Sequence, residues 1–83
     1  MITSPTHNAL LEQAQAVRYA TNDFMRNHSV SRCYGAAAFA RALGLVSWEE
    51  SDRFLALAEN AFVQRGEELI EAARKDHLKR AFA

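Results

Sequence analysis

One proline, at position 5, and three glycines, at 35, 44 and 66, are the only strong helix breakers in 83 residues. A chain so short of punctuation is committed to helix over most of its length, because turns need the backbone freedom or the fixed φ that these residues supply. Alanine is the commonest residue and β-branched residues are few. That acts in the same direction, since alanine loses no side-chain entropy in a helix. With 49% hydrophobic and 24% charged residues the composition is globular, and a chain of this length encloses one modest core. The expectation is a single all-α domain over residues 1–83, a small three-helix bundle with a long C-terminal helix, continuous or kinked at Gly66, and four helices if it breaks there.

Ser4-Pro5 opens the first helix, serine capping free amides and proline fitting the first helical position, where its missing amide hydrogen does no harm. Leu10, Ala14, Val17, Thr21 and Phe24 step by four and three, with Leu11 and Met25 widening the stripe. This spacing predicts helix to about Arg26 with a buried face along it. Asn27-His28-Ser29 carries polar groups that compete with helical hydrogen bonds and reads as the connection, with Asn27 or Ser29 capping the second helix. That helix, from about Val30 to Leu43, contains Gly35-Ala36-Ala37-Ala38, small enough to admit a neighbouring backbone, and carries Phe39 and Leu43. Gly44 stops it in the left-handed conformation, with Leu45 folding back as a hydrophobic contact. Ser47-Trp48-Glu49-Glu50 then has capping-box spacing: Ser47 accepts from the Glu50 amide and the Glu50 carboxylate from the Ser47 amide.

The third helix carries Leu55, Ala58, Phe62, Leu69 and Ala73 on one face, with Phe54, Val63, Ile70 and Leu78 spreading it sideways. A helix end at Arg65-Gly66, with Glu67 and Glu68 in a new first turn, would make four helices. The unbroken rhythm of Phe62, Gly66, Leu69 and Ala73 favours one long or kinked helix, in which glycine costs about 1 kcal/mol relative to alanine but permits close packing. From Trp48 to about Phe82 such a helix is roughly 50 Å long at about 1.5 Å per residue, more than either shorter helix can cover. Both shorter helices laid end to end, a homodimer, or a compact monomer bent at Gly66 would each cover its second half.

Ten Lys and Arg offset ten Asp and Glu, so net charge names no polyanionic partner. Apolar runs such as Ala36 to Ala40 fall far short of the roughly 20 residues a membrane span needs, and no membrane partner is expected. A lone Cys33 cannot form an internal disulfide, and no basic segment followed by an apolar run stands near Met1, so a reducing cytoplasm is the expected compartment. His7, His28 and His77 are far apart, none with a His or Cys one turn away, and no metal is expected. Cys33 could use His28, five residues upstream, as a base, but a cysteine on a small-residue face is ordinarily a buried, inert thiol. Glu67, Glu68 and Glu71 could imitate an acid/base pair, yet they sit where exposed helix acids answer Arg74 and Lys75. Gly35, Gly44 and Gly66 stand alone and make no phosphate loop. No enzyme signature emerges and no cofactor is expected.

Ala40 to Gly44 followed by a new helix resembles a helix-turn-helix. Its reading helix would open on Trp48-Glu49-Glu50-Ser51-Asp52, placing three carboxylates where phosphates must approach, with only Arg53 to compensate. From Trp48 to Glu71 the acids Glu49, Glu50, Asp52, Glu59, Glu67, Glu68 and Glu71 outnumber Arg53 and Arg65, whereas from Ala72 on Arg74, Lys75, Lys79 and Arg80 outnumber Asp76. Compensation of the helix dipole accounts for much of this asymmetry. The functional reading is an acidic face that fills a basic groove or imitates nucleic acid, and the same asymmetry suits an antiparallel dimer. Trp48, Tyr19 and Tyr34 are the candidate contact anchors. The leading expectation is a non-catalytic protein-binding regulator or inhibitor that docks Trp48 and those seven acids onto a protein partner. Phage-encoded and mobile-element accessory proteins that block bacterial machinery share that format. The alternative is a nucleic-acid-binding regulator using Arg18, Arg26, Arg32 and Arg41 of the first two helices, or the tail from Arg74 to Arg80.

Overall fold

A computed structural model describes residues 4–83 as three helices, α1 (Pro5–Arg18), α2 (Asp23–Ala42) and α3 (Trp48–Ala81), with no strand among them. Each helix begins on a side chain that satisfies amides its first turn leaves unpaired. Ser4 accepts from the His7 amide ahead of α1, and Asn22 from the Met25 amide at 2.8 Å ahead of α2. At α3, Ser47 and Glu50 exchange both bonds of the capping box, at 3.1 and 2.9 Å.

The first connection lies earlier than the apolar spacing predicts. α1 stops at Arg18 rather than near Arg26, and Asn27-His28-Ser29 lies inside α2. Asn22 with Asp23 behind it makes the stronger start, a cap followed by an acid at the positive end of the helix dipole. Asn27, expected to break the helix, bonds along it instead: its Nδ2 donates to the Asp23 carbonyl, and its own carbonyl accepts from Ser31 Oγ, both at 2.9 Å. Leu10, Ala14 and Val17 are buried as the stripe requires and Ala20 closes it, but Thr21 lies exposed in the turn and Phe24 is 79% exposed on α2. The second connection agrees with expectation. Gly44 has a φ of 71°, its amide bonds to the Arg41 carbonyl, and the Leu45 amide bonds to the Ala40 carbonyl; these are the paired bonds of a Schellman motif. Leu45 departs from it: expected to fold back as the hydrophobic contact, it is exposed instead, and it is the next residue, Val46, that is buried in the core.

α1 runs parallel to α3 and α2 antiparallel to both. His7 meets Glu50 and Arg18 meets Glu68, whereas Arg41 meets Trp48, Tyr34 meets Glu59 and Arg26 meets Phe62. α2 and α3 therefore lie side by side for several turns, unlike the steeply crossed pair of a helix-turn-helix. Leu10, Val17, Val46 and Phe54 are the bulky members of the core, and Ala14, Cys33, Ala37, Ala40, Ser51 and Ala58 fill the rest. Small side chains let the helices approach closely but bury little apolar area per residue.

α3 runs unbroken through Gly66, so the chain has three helices and not four. Its 34 residues span roughly 50 Å at about 1.5 Å each, nearly the whole 56 Å length of the molecule. The shorter helices pack beside the first part of α3 rather than end to end, and from Ala72 onward every residue is exposed. The radius of gyration, 15.9 Å, accordingly exceeds the about 12 Å of a compact chain of this length. Among the described residues no helix is long and apolar enough to cross a membrane.

Candidate functional site

The place where α3 leaves the bundle is built by three arginines. Arg65 Nε donates to the Ala20 carbonyl at 2.6 Å, beyond the end of α1, where helix carbonyls lack internal partners. Glu68 accepts both guanidinium nitrogens of Arg18, one of them at 2.7 Å, and a further bond from Arg65 at 3.2 Å. Arg26 crosses from α2 with its side chain only 16% exposed and pairs with Asp23 at 3.1 Å. Its Nη1 donates to the Phe62 carbonyl at 2.8 Å, and its guanidinium lies 3.9 Å above the Phe62 ring. A Cβ on residue 66 would stand 2.6 Å from Arg26 Nη1 and 2.9 Å from its Cζ. Glycine at this position thus makes room for an arginine rather than ending a helix.

The acids singled out in the sequence do not gather on one face. At about 100° of rotation per residue, Glu50 and Glu68 share the flank toward α1, Asp52 and Glu59 the flank toward α2, and Glu49, Glu67 and Glu71 turn away from the bundle. Four are engaged within the chain: Glu50 by the Ser47 amide and His7, Glu59 by the Tyr34 hydroxyl, Glu68 by Arg18 and Arg65, and Glu71 by Arg74 at 3.1 Å. Glu49, Asp52 and Glu67 have no partner among the described residues. Trp48 is exposed, but Arg41 stacks 3.8 Å over its ring and covers one face. Tyr19 is exposed, and Tyr34 is held by Glu59. Of the arginines in the first two helices, Arg18 and Arg26 are paired with carboxylates, Arg41 is stacked on Trp48 without a carboxylate partner, and Arg32 has no partner among the described residues.

The Ser47 amide first, and then the His7 ring, holds the Glu50 carboxyl below the usual carboxylate range, and Arg18 followed by Arg65 does the same for Glu68. A carboxylate whose pKa is lowered by folding stabilises the fold above its unfolded pKa, and that contribution is lost as pH falls through the folded value. The melting temperature, followed by circular dichroism, is therefore expected to decline below about pH 4.3, the ordinary glutamate value. Glu50→Gln with Glu68→Gln should lower the neutral-pH melting temperature and flatten the acid decline. An acid limb unchanged in that double variant would remove these carboxylates as its cause.

Chemistry finds little footing in this arrangement. Cys33 is fully buried, and burial pushes its thiol above the ordinary range, against a smaller opposing effect of Arg32; it stays protonated and poorly nucleophilic near neutrality. His28, its candidate base, stacks with Phe24 at 6.3 Å on the outside of α2. Among the described residues no three His, Cys, Asp or Glu side chains converge to hold a metal ion. An open cleft of about 250 Å³ between α1 and α3 is lined by Leu10, Leu11, Val46, Phe54 and Leu57 together with His7, Glu50 and Arg53. Two of its polar groups, His7 and Glu50, bond to each other. The buried Ser51 Oγ has no partner among the described residues but does not line this cleft.

Apolar exposure is the larger surface feature, and charge counting missed it. Phe24, Val63, Ile70, Leu78 and Phe82 are all exposed around the root and length of the projecting part of α3. No protein-family model, curated protein or solved structure matches the chain.

Proposed function

We propose that the chain is a non-catalytic docking protein, a regulator or inhibitor that presents the projecting part of α3, and the apolar surface at its root, to a macromolecular partner. The arm itself carries this reading. Beyond Leu69 α3 continues for about a dozen residues, all exposed but Glu71, with Ile70 72% exposed and the capping Phe82 85%. The segment continues a helix already nucleated in the bundle and needs no costly first turn of its own, so a partner that covers it meets a pre-formed surface at little ordering cost. Glu67 at the root and Arg74, Lys75, Lys79 and Arg80 along the arm supply charge of both signs, which suits a mixed protein surface better than a polyanion.

Affinity capture from the source cell with the native chain and with an Ile70→Glu, Leu78→Glu variant tests the proposal. Both sites are exposed, so the variant should keep its helix content and melting temperature. The native chain should retain a partner that survives nuclease treatment and that the variant loses. Equal retention by both would reject the arm as the docking surface, and loss of the partner on nuclease treatment would favour nucleic-acid binding instead.

A further inference from the structure

We infer that the occupant of the arm is a second copy of this chain, laid antiparallel along α3 about a two-fold axis at Ile70. This rests on the docking reading above and names its partner. Helix phase supplies the seam: Val63, Glu67, Ile70, Arg74 and His77 step by four, three, four and three along one line of α3, the repeat that keeps one side of a helix facing a neighbour. The line leaves the bundle next to the α2 flank, since Glu59, one turn before Val63, meets Tyr34, and the adjacent Gly66 lies beneath Arg26. Along it Val63 is 53% exposed and Ile70 more so. Arg26 of α2 meets Phe62 of α3, so counting back brings the first turn of α2, with its exposed Phe24, level with the root of the arm.

Charge decides the direction. Reversing α3 about Ile70 sets Val63 opposite His77 of the second copy and brings Glu67 within one residue, about 1.5 Å along the axis, of the level of Arg74 of the second copy, and the axis repeats both pairs. A two-fold interface requires this, because if residue i meets j then j must meet i. A parallel pairing would instead place Glu67 on Glu67 and Arg74 on Arg74, a repulsive arrangement. Glu67 has no partner among the described residues, and Arg74 has only Glu71 on its own helix, a kind of surface pair worth little. The same reversal returns Lys79 and Arg80 toward Glu59 on the body of the other copy. The overlap from Val63 to His77 is roughly 20 Å long. It makes a contact at or below the low end of the about 1,200–2,000 Å² typical of specific interfaces, so self-association in the micromolar range is expected.

Sedimentation of the full chain from micromolar to near-millimolar concentration tests the inference, with circular dichroism as the check on folding. The native chain should show a monomer–dimer equilibrium that weakens with added salt, because exposed charge pairs are screened. Ile70→Glu brings two carboxylates together at the axis and should weaken association by about 100-fold or more without loss of helix. Glu67→Arg and Arg74→Glu should each weaken self-association, and an equimolar mixture of these two variants should restore it, since each copy then supplies the charge the other lacks. A native chain that stays monomeric, a dimer indifferent to Ile70→Glu, or a mixture that fails to recover would each overturn the second copy as occupant. A partner captured by the native chain and lost by the arm variant would in those cases leave the docking reading standing.

Discussion

Phe54→Ala is expected to leave the chain largely unfolded at physiological temperature. Phe54 is 5% exposed and is the one aromatic ring in a buried core otherwise made of Leu10, Val17, Val46 and much smaller side chains. Truncating a buried phenylalanine costs about 3–5 kcal/mol, because the lost transfer energy is compounded by the cavity that remains. A domain of 83 residues has about 4–12 kcal/mol of stability in all, and a core rich in alanine belongs toward the lower end of that range. Phe24→Ala is the matched control: the ring is large but 79% exposed, and its loss should change stability by no more than about 0.5 kcal/mol. Urea titrations of both variants, read by helix content, separate the two outcomes. Equal losses would mean that the packing is not centred on Phe54.

That contrast between two phenylalanines was only half visible in the amino-acid order. Local chemistry was legible: Ser4-Pro5, Gly44 and the Ser47/Glu50 box act on amides and carbonyls a few residues away, and each does in the fold what its type and spacing imply. The boundary between α1 and α2 was not, because Thr21 and Phe24 continue the four-three rhythm of Leu10, Ala14 and Val17 across a turn that Asn22 in fact caps. Asn27 looks like a breaker, yet its side chain is satisfied on a carbonyl one turn back, as that of Ser31 is one turn later. Non-local partners hid the remainder. The acids of α3 could be counted, but His7, Arg18 and Tyr34, which engage Glu50, Glu68 and Glu59, stand on other helices. The length of α3 could be worked out from its rise per residue; how little of the chain would cover it could not.

Gly66 is the position where a distant partner inverts a local rule, and it gives the second large effect. In an exposed helix interior, glycine to alanine gains about 1 kcal/mol. Here the new methyl would meet Arg26 Nη1 at 2.6 Å and displace a guanidinium that bonds the Phe62 carbonyl and covers the Phe62 ring. A hydrogen bond from a charged donor contributes about 1.5–3 kcal/mol and a partly desolvated cation–π contact about 0.5–2 kcal/mol, so the loss outweighs the gain. Gly66→Ala should therefore destabilise the native chain by about 1–2 kcal/mol, and stabilise a chain already carrying Arg26→Ala by about 1 kcal/mol. Denaturant midpoints of the four proteins in this cycle give the sign directly. If Gly66→Ala stabilises in both backgrounds, the guanidinium is not pinned against α3. The cycle also bears on where α2 begins, since only a helix already formed by Asp23 carries residue 26 to the side of α3; a helix starting near Val30 would leave Arg26 on the preceding segment and the two substitutions would simply add.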